Sequence, residues 1–96
     1  MLNVYIVTYD ISSPKRLNKV FKTLRNYGDH IQLSVFECQM NDKDLVILKE
    51  KLCRLIRKEE DQVLIIRLGP AEGRAEFAVE SLGRKYEPRD RSVVVA

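Results

Sequence analysis

The chain has 96 residues, 45% of them hydrophobic and 32% charged, and its 17 Lys and Arg against 14 Asp and Glu give a net charge of +3 at neutral pH. That length holds one small domain (1–96), and the composition excludes a disordered chain. A domain this short buries only about 60–65% of its unfolded surface, so its thin core predicts support from a partner subunit. The two cysteines, Cys38 in a strand-like run and Cys53 in a helix-like run, read as free buried thiols. The apolar stretch 1–9 has no basic leader and is too short for a signal peptide or membrane span. A cytoplasmic protein with no membrane partner is expected.

Residues 2–10 are rich in β-branched and aromatic side chains and predict a strand. Leu2, Val4, Ile6, Thr8 and Asp10 alternate onto one face, Asn3, Tyr5, Val7 and Tyr9 onto the other. Ser13 as N-cap and Pro14 at the first helical position start a helix over 14–27, carried by Leu17, Val20, Phe21, Leu24 and Tyr27 at helical spacing. Gly28 reads as its stop, in the left-handed conformation that closes a last turn. Residues 30–40 are strand-like but long, which predicts two short strands or a sharp kink near Ser34.

Asn41 and Asp42 cap a second helix with Leu45, Leu48, Leu52, Leu55 and Ile56 on one face. Asp42 and Asp44 fall in its first turn and Arg54, Arg57 and Lys58 in its last, as the helix dipole favours. Glu59, Glu60 and Asp61 read as a polar connection. An apolar strand follows over 62–68, stopped by Gly69 and Pro70. The tail is less regular: 76–82 as strand or short helix, 85–91 as a polar turn region, 92–96 as a terminal strand.

This order predicts an α+β, ferredoxin-like βαββαβ domain with two helices on one sheet face and an extra C-terminal strand. Tyr5, Val7 and Tyr9, with one side of residues 63–68, are expected on the open face. So apolar a face predicts a homodimer packed sheet on sheet. Residues 71–96 then serve as a dimer-exchange or partner-docking segment.

The sequence has no Gly-rich phosphate loop, no Cys and His cluster and a single histidine, His30. Asp10 ends the first strand just before a helix start. A carboxylate there suits Mg²⁺, which takes one or two carboxylates and keeps several waters, and a two-fold axis supplies a second copy. The alternative is that Asp10 caps the turn through the Ser12 and Ser13 amides. The first helix carries Lys15, Arg16, Lys19, Lys22 and Arg25 without one acid. It reads equally as a phosphate-binding face or as a solvated one. His30 is a phosphate contact, a proton shuttle or plain polar surface. Ser34 is a phosphate donor or a kink residue, and Phe36 a base-stacking platform or core. Glu37 is a second acid near the site or, the favoured reading, a solvent-facing strand residue.

Tyr9-Asp10-Ile11-Ser12 at the strand end, the basic helix, and Gly28-Asp29-His30-Ile31-Gln32-Leu33-Ser34-Val35-Phe36-Glu37 together resemble the CRISPR-associated "Cas two" family over about the first seventy residues. The resemblance implies a ferredoxin-like homodimer that takes part in spacer acquisition, bound to the adaptation integrase ("Cas one"). It implies a metal-dependent endonuclease acting on single-stranded RNA or double-stranded DNA, with Mg²⁺ or Mn²⁺ held by the strand-end Asp10 of each subunit. It places nucleic-acid contact at the first helix, where Arg16 and Lys19 stand, and makes Phe36 the family's Phe of the Ser-Val-Phe stretch. Two departures bear on cleavage: His30 stands where the family often has Arg, and Leu17, with Arg16 one place earlier, where some members have Arg. Three functions are thus expected as candidates. One is a Mg²⁺-dependent nuclease, one a non-catalytic scaffold that binds duplex DNA and docks the integrase, and one a toxin-like endoribonuclease or RNA-binding module of similar fold, independent of CRISPR.

Overall fold

The apolar, β-branched start of the chain forms β1 (Asn3–Asp10), as its composition predicts. The computed structural model describes residues 1–72 and 80–84. After β1 come α1 (Pro14–Arg25), β2 (Gly28–Gln32), β3 (Val35–Met40), α2 (Asp42–Leu55) and β4 (Gln62–Pro70). They build one antiparallel sheet of order β2-β3-β1-β4. This is the α+β, βαββαβ plan the element order predicts.

Both helices start where capping chemistry places them. The Ser13 side chain accepts the Arg16 N–H, with Pro14 next in line, and the Asn41 Oδ1 accepts the Asp44 N–H at 2.8 Å. Their ends differ from expectation. α1 stops at Arg25, and the Asn26 and Tyr27 N–H groups bond back to the Thr23 and Leu24 carbonyls. α2 stops at Leu55, which leaves Arg57 and Lys58 outside the helix.

The two sheet faces are the reverse of the sequence reading. Tyr5, Val7 and Tyr9 lie under the helices in one buried cluster with Val20, Leu24, Phe36, Cys38, Met40, Leu48 and Leu52. The open face carries Ile6, Thr8 and Asp10 of β1, in register with Ile66, Leu64 and Gln62 of β4. Leu64 and Ile66 are there about half exposed, at 49% and 48%. The physical reason is volume: tyrosine rings fill the space between sheet and helices, which smaller β-branched side chains would leave void. The open face is still apolar, through different residues. Glu37, read as solvent-facing, is 6% exposed. Neither cysteine forms a disulfide; Cys38 is buried as expected, whereas Cys53, also expected to be buried, is exposed.

Gly28 has a role other than helix stop. Its φ is not left-handed; it is the first residue of β2, and a Cβ there would lie 2.3 Å from the Glu37 carbonyl oxygen and 2.5 Å from the Cys38 Sγ. Only a residue without a side chain lets β2 approach β3 so closely. The strand-like run after it is a hairpin, turned at Leu33 and Ser34. β4 continues through Gly69 and Pro70, because a register shift opposite Val4 and Tyr5 and a φ of +124° at Gly69 absorb the irregularity.

The expected terminal strand (92–96), the 85–91 turn region and most of 76–82 lie outside the described residues, so the proposed role of 71–96 does too. Among the described residues, no helix is long and apolar enough to cross a membrane.

Candidate functional site

The alternation of β1 brings Asp10 to the sheet's open face at the edge of the apolar Ile6, Leu64 and Ile66 patch, and leaves it exposed. Of the two amides through which Asp10 was expected to cap the turn, those of Ser12 and Ser13, the Ser12 N–H is given to Asp61 Oδ1 at 3.0 Å instead. The carboxylate of Asp10 has no hydrogen-bond or ion-pair partner among the described residues. No group of three His, Cys, Asp or Glu residues that could hold a metal occurs among them either. One chain therefore offers one carboxylate at this point. That fits a hydrated divalent cation, which is held by one or two carboxylates, provided a second ligand comes from another copy.

Beside Asp10 stands a residue that sequence reasoning passed over. Asp61, read as part of a polar connection, has a fully buried side chain and ties three segments together. It accepts from the Ser12 N–H and Oγ at 3.0 and 3.2 Å, from Arg16 Nε and Nη2 at 2.8 and 3.1 Å, and from the Arg57 N–H at 2.8 Å. The Arg16 guanidinium, helped by the Arg57 and Ser12 donors, holds the Asp61 carboxyl well below the usual carboxylate range, against the opposing effect of burial. Asp61 in turn raises the Arg16 pKa, chiefly through the same hydrogen bond. Arg16 also reaches Ser12 Oγ at 3.1 Å, and its side chain is only 19% exposed. It is thereby committed to the turn after Asp10. The available signal was its type, since Arg suits bidentate carboxylate pairing, but linear spacing does not name a partner across 45 residues.

Lys15, Lys19 and Lys22 are exposed along α1, and none pairs with an acid among the described residues. Arg25 lies over the Phe21 ring at 5.5 Å from its centroid. His30 is half-buried and does structural work: its ring contacts those of Phe21 and Phe36, each at 5.0 Å, and its Nε2 contacts the Leu33 carbonyl oxygen. Ser34 is half-buried and its carbonyl accepts the Tyr9 N–H at 3.1 Å. Phe36 is wholly buried against Tyr9 and Phe21, so its ring belongs to the core and offers no stacking surface. Of the expected site residues, the structure brings Asp10 and Arg16 to one end of the sheet, sets the three lysines on an exposed helix, and gives His30 and Phe36 to the interior.

The profile of the family described as CRISPR associated protein Cas2 matches residues 3–75. The chain is similar to "CRISPR-associated endoribonuclease Cas2 1" of Rhodospirillum rubrum, 43% identical over 97% of this chain and 90% of the relative. It is also similar to "CRISPR-associated endoribonuclease Cas2" of Geobacter sulfurreducens, 36% identical over 99% of each. Among solved structures it resembles Streptococcus pyogenes Cas2, with a TM-score of 0.73 and 34% identity over 83% of this chain and 99% of that one. A βαββαβ sheet, an exposed strand-end aspartate and an acid-free first helix thus accompany a full-length sequence match, and the chain belongs to the CRISPR-associated Cas2 family.

Proposed function

We propose that this protein is a metal-dependent endonuclease of CRISPR adaptation that works as a homodimer. The observation that carries the proposal is the exposed Asp10 at the rim of an apolar sheet face on which Leu64 and Ile66 are about half exposed. A second copy packed on that face buries Leu64 and Ile66 and brings two Asp10 carboxylates to one axis. The two carboxylates hold one Mg²⁺ or Mn²⁺. Such an ion, when bound, polarises a phosphoryl oxygen and makes hydroxide available at neutral pH. The chain's own residues do the rest: Lys15, Lys19 and Lys22 bind the phosphates of RNA or DNA, and Asp61 with Arg16 fixes the turn that carries Asp10. The endoribonuclease names of the relatives support RNA as one substrate.

The second reading is a non-catalytic scaffold, which the free lysine row favours. The dimer then cradles duplex DNA on its two α1 helices and bridges the adaptation integrase, and Asp10 is dispensable. Incubating labelled single-stranded RNA and duplex DNA with the wild-type protein, in Mg²⁺ or in EDTA, separates the two. Metal-dependent cutting of either substrate supports the enzyme. Tight, salt-sensitive binding without any cutting supports the scaffold.

A further inference from the structure

Between α1 and the β2–β3 turn lies an open apolar groove of about 340 Å³. Tyr9 and Phe21 form its floor, Leu17 and Leu33 its lips, and Asn18 and Ser34 add polar groups. Leu33 is the unusual member. It has a φ of +32°, where Gly or Asn would sit without strain, yet the residue is 84% exposed and contributes little to the core. The turn is held from both sides, by the His30 contact to the Leu33 carbonyl and by the Tyr9 N–H on the Ser34 carbonyl. The fold thus keeps a fixed, exposed aliphatic lip at a position where its own stability favours glycine.

Charge beside the groove identifies the occupant. At helical spacing Lys15 and Lys22 flank Asn18, three residues before and four after it, and both are exposed. Arg25 stands one turn beyond Phe21 with its guanidinium over that ring. A row of cations therefore rims an apolar slot with two hydrogen-bonding side chains inside it. This combination suits a single nucleic-acid strand, which stacks bases on apolar or aromatic surfaces and lays its phosphates on a basic track. A duplex keeps its bases stacked and meets only the track.

We propose that the groove takes one unstacked nucleobase of a single-stranded nucleic acid whose phosphates lie along Lys15, Lys22 and Arg25, an inference that rests on the nucleic-acid reading of α1. Leu17 and Leu33 clamp the base over Tyr9 and Phe21, and Asn18 and Ser34 hydrogen-bond its edge. The groove selects single strands over duplex.

Leu33→Gly tests this without threatening the fold, because glycine adopts the turn's φ freely. Fluorescence anisotropy with a short labelled oligouridylate is expected to show a loss of about tenfold in affinity for Leu33→Gly and a similar loss for Leu17→Asn. The salt slope stays the same in both variants; the melting temperature holds or rises for Leu33→Gly and falls modestly for Leu17→Asn, which gives up helix propensity and partly buried apolar surface. An abasic version of the oligonucleotide binds the wild type as weakly as the intact one binds the variants, and duplex DNA binds all three proteins alike. Unchanged oligouridylate affinity in both variants, equal binding of the abasic strand, or equal losses for duplex and single strand would each overturn the groove as a base site. If Lys15→Gln and Lys22→Gln weaken binding of both nucleic acids while Leu33→Gly weakens neither, only the groove inference fails. If the wild type binds no nucleic acid at all, the reading of α1 fails and takes this inference with it.

Discussion

Arg16 Nε donates to Asp61 Oδ2 across 2.8 Å and so fastens the first turn of α1 to the start of β4, 45 residues away. With the two Ser12 donors and the Arg57 N–H, this pair fixes the backbone that leaves β1 after Asp10. The acid that holds the candidate site in shape is thus distinct from the acid that is exposed there.

Acid sensitivity follows from the depressed Asp61 pKa. The unfolded chain takes up this proton at an ordinary carboxylate pKa of about 3.9, before the folded protein does. Stability from Asp61 is therefore fully present above that value and lost as pH falls below it. Thermal unfolding between neutral pH and about pH 2 is expected to show the wild type losing stability at the acid end. Asp61→Asn should start from a lower melting temperature at neutral pH and lose less on acidification. A variant with the same acid slope as wild type would remove Asp61 from this role.

Gly28→Ala places a Cβ against the Glu37 carbonyl oxygen and the Cys38 Cα, both backbone atoms that cannot swing aside. The expected cost is at or above the upper end of the ~1–3 kcal/mol typical of overpacking, read as a lower urea midpoint. A midpoint equal to wild type would mean that β2 and β3 sit further apart than the structure has them.

Phe36→Leu separates a core role from a binding role. The ring is wholly buried, so this change should lower stability by about 1 kcal/mol or more while leaving nucleic-acid affinity of the folded protein as it was. A selective loss of affinity at unchanged stability would return Phe36 to the binding surface.

Replacing Lys15, Lys19 and Lys22 together by Gln should reduce the slope of log affinity against log salt by roughly 0.7–0.9 for each phosphate that is no longer neutralised. Stability should move by no more than ~0.5 kcal/mol per site, since these side chains are exposed. An unchanged slope would show that the nucleic acid lies elsewhere.

The fold was legible because its signals are local: Ser13 and Asn41 cap the helices they precede, and the apolar spacings of α1 and α2 mark their inner faces. The position of Asp10 was legible for the same reason, as the last residue of a strand just before a helix start. Which face of β1 goes inside was not, because both faces are apolar and only the fit of the tyrosine rings under the helices decides it. Gly28 misled because its requirement is a neighbouring strand rather than its own dihedral. Asp61 was missed because its partners are an arginine and amides brought near only by the tertiary fold, and His30 and Phe36 are paired rings that the hairpin brings together.

Everything proposed for the site turns on Asp10 as the metal-holding residue of a nuclease. The decisive experiment compares cleavage of labelled single-stranded RNA and duplex DNA by wild type and Asp10→Ala in Mg²⁺, with EDTA as control and melting temperature as a check on folding. The wild type is expected to cut, and EDTA to abolish that cutting. Asp10→Ala is expected to lose it while keeping the wild-type melting temperature. Undiminished metal-dependent cutting by a folded Asp10→Ala protein would contradict the assignment.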